Sequence, residues 1–253
     1  MFTPSALTRC RLLIDGPGRG AWNMAVDEML LESAAAGRGC ALRFYRWSEP
    51  TLSLGYFQRQ TDRSSHEPSR DCPLVRRASG GGAILHDREL TYSFMVHTGH
   101  RLAANAEALY RAIHISWIEA VANLRIRATL CETRASTTPS AQPFLCFQRR
   151  ARGDVVIGRY KVVGSAQRRR RGAVLQHGSC LLERSPSAPE ALGLAEAAGV
   201  KLSPQRLIDL WQSGLRCALQ VDFERAPLST AEKARVHEIV KSKYGRAEWT
   251  GRR

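Results

Sequence analysis

Stretches of period two alternate along this chain with stretches near period 3.6, which predicts interleaved strands and helices. Arg11–Asp15 reads as a first short strand, closed by the turn signal Gly16-Pro17-Gly18. From Ala21 to Ala36, Trp22, Ala25, Val26, Met29 and Leu30 recur at helical spacing and predict an amphipathic helix. Leu42–Trp47 and Thr51–Tyr56 alternate like strands on either side of Glu49-Pro50. Residues 59–72 are polar and lack periodicity, as a loop would. Three further strands are expected at Leu74–Arg77, Ala83–His86 and Leu90–Val96, followed by a helix over Ala104–Leu124.

Residues 133–143 form a Ser/Thr/Pro-rich loop that leads to Phe144-Leu145-Cys146-Phe147. Asp154–Ala166 and Gly172–Leu182 read as strands joined by the run Arg168–Arg171. After Ser187 the pattern turns helical. Ser187-Ala188-Pro189-Glu190 and Ser229-Thr230-Ala231-Glu232 both fit a capping box, and Ser203-Pro204 supplies a cap with proline at the first helical position. The expectation is an α/β (α+β) protein: a mixed β-sheet core with flanking helices over residues 11–183, and a small helical C-terminal extension over 184–253.

Composition adds three points. A chain of 253 residues can bury roughly three quarters of its unfolded surface, enough for one sizeable core. Lys and Arg number 38 against 23 Asp and Glu, a net charge of +15 that calls for negatively charged partners: nucleic acid, anionic lipid or an acidic protein. The seven cysteines are widely and irregularly spaced with no C-x-x-C pair, which argues against both a disulfide framework and a zinc site, so no metal is expected. No apolar stretch approaches the roughly 18 residues of a membrane span, and the start lacks the apolar core of a secretory signal, so a cytoplasmic protein with no membrane partner is expected.

Three segments carry candidate chemistry. In Arg76-Arg77-Ala78-Ser79-Gly80-Gly81-Gly82-Ala83-Ile84-Leu85-His86-Asp87, three glycines between two strands let the backbone approach a ligand that any Cβ would block. Successive amides in such a turn can also cradle an anion or a carbonyl oxygen. In Asp154–Gln167, a strand–turn–strand pattern places Lys161 among valines. On spacing alone it reads as a lysine snorkelling to solvent, whereas facing a pocket it would stabilise a thiolate or an oxyanion. Cys146, between apolar residues and followed by Gln148-Arg149-Arg150, reads on its own as a packed core thiol; beside cations it would ionise more readily and attack thioesters.

Taken in order, these segments resemble the lipoate- and biotin-attachment superfamily, near lipoate-protein ligase A and the LipM-type octanoyltransferases. RRASGGGAILHD is similar to the family's acyl-binding loop, and GRYKVVGSAQ to the signature that holds its ligand-binding lysine. Asn23–Glu28, Glu89–Ser93 and Val174–Ser179 extend the resemblance over about residues 11–183, with an echo at Tyr244…Glu248-Trp249. It implies a biotin/lipoate-ligase-like catalytic domain. It also implies that Cys146 and Lys161 are catalytic, and that Arg76, Ser79, Gly80, Gly81, Gly82 and His86 line the acyl channel, with Gly164, Ser165 and Ala166 beside the lysine. In LipM-type enzymes octanoate passes from the thioester of acyl carrier protein to a cysteine upstream of the lysine hairpin, then to a lysine of a lipoyl domain or of glycine cleavage H protein.

On that reading the donor is octanoyl-acyl carrier protein and no cofactor is required; ATP and magnesium enter only in the alternative of an ATP-dependent lipoate-protein ligase. Gly82, where LipM-type sequences often carry arginine, leans toward that alternative, and the short tail leans against it. Two readings of another class are a basic nucleic-acid-binding protein and a non-catalytic lipoyl-binding module. Nucleic acid is disfavoured because the arginine run joins two strands without interleaved aromatic residues, and the module by the co-occurrence of Cys146, Lys161 and the glycine loop.

Overall fold

A computed structural model describes residues 7–132 and 143–252, so the loop expected over 133–143 lies, except for its last residue, outside the described residues. Strand β1 (Thr8–Gly18) leads into helix α1 (Gly20–Ala35), then β2 (Cys40–Trp47) and β3 (Thr51–Leu54). Next come β4 (Leu74–Arg76), β5 (Ile84–His86), β6 (Glu89–His97) and α2 (Ala106–Ala122). β7 (Thr129–Leu130), β8 (Val155–Ile157), β9 (Tyr160–Arg170) and β10 (Ala173–Leu181) follow. The C-terminal part holds α3 (Leu194–Ala198), α4 (Pro204–Leu219), β11 (Val221–Arg225), α5 (Thr230–Ile239), a π-helical turn over Val240–Tyr244 and α6 (Ala247–Thr250).

Among the described residues the large sheet has eight strands in the order β11-β1-β2-β6-β10-β9-β8-β7, and a small sheet has three, β4-β3-β5. The large sheet is mixed: β1 runs parallel to β2 and β11, while β2–β6, β6–β10 and β10–β9 are antiparallel. Helices cover both faces. One face packs Phe44, Tyr92 and Phe94 against Trp117 of α2 and Trp211 of α4, and Trp211 Nε1 donates to Ser116 Oγ at 2.9 Å. The other packs Leu13, Tyr45 and Leu175 against Met29 and Leu30 of α1 and Val236 and Ile239 of α5. Burial on two sides is why β6 and β10 are filled with buried residues instead of alternating in and out.

The helix caps at Ser203 and Ser229 form as their sequences suggest, with Ser229 Oγ accepting from Glu232 N and the Glu232 carboxylate accepting from Ser229 N at 2.8 Å. Ser187 starts no helix. Its amide donates to Ser185 Oγ, Glu190 turns away to His66 Nε2 at 2.7 Å, and the next helix begins only after Gly193, with Glu196 closing that cap. The tail is also not wholly helical: β11 adds an edge to the large sheet beside β1, in the alternating segment Val221-Asp222-Phe223-Glu224-Arg225. In the loop at 59–72, Gln60–Ser65 and Glu67–Ser69 wind into 3-10 turns. Arg168–Arg170 belong to β9 itself, and only Arg171 and Gly172, both at positive φ, make the turn into β10.

Candidate active site

The glycine loop belongs to the small sheet. Its last residue, Ala83, bridges to Leu145, and the amide of Cys146 donates to the Ala83 carbonyl at 2.7 Å while Ala83 N donates to Phe144 O at 3.2 Å. Two backbone bonds thus hang the cysteine segment on the loop. Gly82 makes this possible: a Cβ there would sit 3.3 Å from the Cys146 Cα and from the Phe144 carbonyl. Gly81 has φ +94°, a conformation glycine adopts freely.

The lysine comes from the large sheet. Lys161 stands at the start of β9, and its Nζ lies 3.5 Å from Cys146 Sγ and 2.9 Å from Asp154 Oδ2. Its path to the thiol runs across Gly164, where an added Cβ would overlap Lys161 Cε and lie 2.6 Å from Nζ. Asp154 is in turn fixed by Tyr110 Oη and the amide of Ala151, each donating at 2.7 Å. Burial pulls the Lys161 ammonium toward its neutral form, but a thiolate at Cys146 and the Asp154 carboxylate outweigh it and hold its pKa above the ordinary value. Lys161 is thereby kept charged in a buried position, opposite a thiol.

A cleft adjoins this pair. It is lined by Cys146 and Phe147, by Arg77, Gly80 and Gly81 of the loop, and by His86, Met24, Tyr45, His177 and Ser179 of the surrounding elements. Gly164, Ser165 and Ala166 form its β9 side. A larger, open groove of about 1520 Å³ lies between α1 and α5; it holds the ion pairs Arg11–Glu232 and Arg235–Glu32 and none of the residues just named. Among the described residues no cluster of three or more His, Cys, Asp or Glu could hold a metal, and no helix is long and apolar enough to cross a membrane.

The residues singled out from the sequence divide into two groups. Cys146, Gly80, Gly81, His86, Gly164, Ser165 and Ala166 line the cleft; Lys161 joins them through its contact with Cys146. Arg76, expected to line the acyl channel, does not. It is fully buried and donates to the carbonyls of Gly55, Gln58 and Thr250, tying the small sheet to the C-terminal tail. Its neighbour Arg77 faces the cleft instead, because consecutive residues leaving a strand turn to opposite sides. Gly82 acts through the cysteine backbone, and Ser79 is buried behind the loop, with its Oγ 2.5 Å from His177 Nε2.

Sequence reasoning missed the supporting shell. Arg77 donates to the carbonyls of Gly80 and Gly82 and to Ser53, which holds the loop in shape. Burial pushes its pKa down to about 10, partly opposed by a thiolate at Cys146, and its Nε has no hydrogen-bond partner. Ser53 links Arg77 to His86 Nε2 at 2.8 Å, and His86 Nδ1 donates to Glu89 at 2.8 Å. On the other face of the sheet, His114 Nδ1 donates to the Gly153 carbonyl, so Nε2 accepts from Ser165 Oγ at 2.7 Å and Ser165 accepts from Tyr92 Oη at 2.6 Å. Burial lowers the His114 pKa to about 4, and the ring is neutral near pH 7. His86 and Ser165 belong to the motifs already named, but Ser53 and His114 lie tens of residues from the partners they meet, so no local motif announces those two.

A sequence profile of the lipoyl protein ligase A/B catalytic domain matches residues 19–195. The chain belongs to the lipoyl protein ligase A/B family. Within the family it is 34% identical to octanoyltransferase LipM of Kyrpidia tusciae, over 96% of this chain and 98% of that protein. It is 32% identical to octanoyltransferase LipM of Brevibacillus brevis, over 92% and 95%. The Bacillus subtilis octanoyltransferase LipM matches at 31%, over 96% and 98%. Solved structures with the same fold include lipoate-protein ligase A bound with ATP (TM-score 0.78, 24% identity, 96% of this chain and 98% of that one). A bipartite lipoate protein ligase of Thermoplasma acidophilum, studied with its E2 lipoyl domain, also shares it (TM-score 0.75, 21% identity, 98% and 97%). Family and fold agree with the expectations drawn from the sequence motifs.

Proposed function

We propose that this chain is an octanoyltransferase of lipoate biosynthesis that carries the acyl group on Cys146 and delivers it to a lysine of a lipoyl domain. The observation that carries the reading is the Cys146–Lys161 pair at 3.5 Å beside the cleft, with Lys161 held charged by Asp154. A ligase that activates its acid as an adenylate has no use for a thiol at this point. Sequence similarity to proteins named octanoyltransferase LipM over more than nine tenths of their length supports the same choice.

In the first half-reaction the Cys146 thiolate attacks the carbonyl of an octanoyl thioester. The new S–C bond forms at Cys146, the carbonyl oxygen takes up negative charge, and Lys161 together with the unused Nε–H of Arg77 stabilises it. Collapse breaks the donor's C–S bond, and the departing thiolate takes a proton from Lys161. In the second half-reaction the neutral amine of the acceptor lysine attacks the Cys146 thioester. The C–N bond forms, the C–S bond to Cys146 breaks, and the proton shed by the amine returns to Lys161, restoring the thiolate–ammonium pair. Exchange of one thioester for another is nearly isoenergetic and conversion to an amide is downhill, so neither step calls for ATP. The covalent intermediate replaces a three-body encounter with two successive ones.

Acyl carrier protein is the donor on this reading, lipoyl domains or glycine cleavage H protein the acceptors, and the net charge of +15 suits acidic carriers of both kinds. Intact-protein mass spectrometry after mixing with octanoyl-acyl carrier protein, without ATP, tests it. The expected result is one octanoyl adduct on the protein, labile to hydroxylamine and absent from Cys146→Ser. Modification of an acceptor domain only when lipoate and ATP are supplied, with no adduct, would assign the chain to the ATP-using ligases.

A further inference from the structure

A second, narrow cleft adjoins the acyl cleft, sharing Met24 and His177 with it and touching Ala78 at the base of the glycine loop. Its rim is cationic. Arg168 and Arg170 reach it from β9, and Lys243 and Arg252 stand in the C-terminal segment beside it. The guanidinium of Arg168 lies 5.2 Å from the ring centre of Tyr56, that of Arg252 lies 4.8 Å from the same ring and from Trp249, and Lys243 Nζ is 4.2 Å from Trp249.

These four cations are poorly matched by carboxylates. Glu28 is shared between Arg170, at 2.9 Å, and Lys243, and it also accepts from Tyr244 Oη. Asp27, the other carboxylate lining the cleft, is occupied by Arg43 and His177. Neither Arg168 nor Arg252 makes an ion pair or a hydrogen bond among the described residues, and Arg168 Nε is buried without a partner. Burial and then repulsion from Arg170 and Arg168 hold the Lys243 pKa below its ordinary value despite Glu28. Three half-buried cations and the exposed Arg252, with one buried donor left unused, are arranged for an anion supplied from outside.

We propose that Arg168, Arg170, Lys243 and Arg252 form a site for the phosphodiester of the donor carrier's prosthetic arm, an inference that rests on the acyl-transfer reading above. Reach supports it. Arg168 is four residues along β9 from Gly164, against which the reacting lysine packs, or about 13 Å at 3.3 Å per residue. A pantetheine arm has about thirteen bonds from phosphorus to sulfur, a little over four residues' worth of backbone, and spans about 14–16 Å when extended. With its phosphate at Arg168, the arm places its thioester at Cys146. A nucleic acid fits less well, because the Tyr56 ring that a base would stack upon is already engaged by two guanidiniums.

The experiment compares two small donors, octanoyl-4′-phosphopantetheine and octanoyl-pantetheine, which differ only in the phosphate. Acylation of Cys146 is followed by mass spectrometry. The native protein is expected to prefer the phosphorylated donor by about tenfold or more in kcat/KM, the worth of one or two charged hydrogen bonds. In Arg168→Gln, and separately in Arg252→Gln, that ratio falls toward unity. A native protein that does not discriminate, or variants that keep the full ratio, overturn the site. Loss of activity with octanoyl-acyl carrier protein in Arg168→Gln while the small-donor ratio persists also overturns it, in favour of docking on the carrier's protein surface. Should neither small donor nor octanoyl-acyl carrier protein acylate the native protein, the acyl-transfer reading itself has failed. Calorimetry with free 4′-phosphopantetheine against pantetheine then still decides whether the cluster binds the phosphate.

Discussion

Asp154→Asn isolates what keeps the lysine charged. In the native protein Asp154 is buried, lies 2.9 Å from Lys161 Nζ and is held by Tyr110 and Ala151. Asparagine preserves the shape and one acceptor oxygen but removes the charge and turns an amide toward the ammonium. Removing one partner of a buried ion pair costs about 3–5 kcal/mol. Burial favours the neutral amine, and a thiolate at Cys146 and the Asp154 carboxylate oppose it; without the carboxylate the Lys161 pKa falls and its ammonium is less firmly held. Acylation of Cys146, measured by quenched mass spectrometry at pH 7, is expected to slow by about 10²–10³-fold, the usual consequence of losing one stabilising donor at a developing oxyanion. Alkylation of Cys146 by iodoacetamide at pH 7 slows as well, and the pH dependence of both reactions moves. Asp154→Glu restores part of the rate. An Asp154→Asn protein that folds, acylates within threefold of the native rate and keeps its pH profile would refute the account of Lys161.

Three further outcomes follow from the geometry. Gly164→Ala places a methyl where Lys161 Cε and Nζ pass; because the obstructed group is the end of a flexible chain, folding survives, while acylation falls by about 10²-fold as the ammonium leaves the thiol. Gly55→Ala meets the Gly81 carbonyl, which cannot step aside, and is expected to cost about 1–3 kcal/mol in urea denaturation and to distort the glycine loop. The depressed His114 pKa gives a pH signature: below 6.5 the unfolded chain binds the proton while the native ring does not until about pH 4, so stability is lost as pH falls through that window. The His114 contribution is about 2 kcal/mol between pH 6.5 and 5, and denaturant titrations should show a correspondingly flatter slope in His114→Gln; equal slopes would remove His114 from the account.

The motifs rendered the cleft-lining loop and the lysine strand legible because each is a local device, a run of glycines or an alternating hairpin. Cys146 was ambiguous until a neighbour 15 residues later came within 3.5 Å of it, a fact that belongs to the fold. The choice between Arg76 and Arg77 turned on which side of a strand end each side chain takes, and the sequence offers two arginines in a row. The Ser187 capping box failed because Glu190 found His66, more than a hundred residues away, in place of the amide a helix would have offered. Strand β11 was hidden by helical surroundings, although Val221-Asp222-Phe223-Glu224-Arg225 does alternate. Tyr110, His114 and Asp154 carry no local signature at all.

The Cys146 thiol and the Lys161 ammonium ride on separate parts of the molecule: the lysine is woven into the large sheet, whereas the cysteine segment hangs from the glycine loop by two backbone bonds. Such a joint makes the chemistry interchangeable. A common ancestor could gain or discard a thiol at this place by exchanging one short peptide, leaving sheet, lysine and acyl cleft untouched, so thioester transfer and adenylate-based ligation can be neighbours in evolution on a single scaffold.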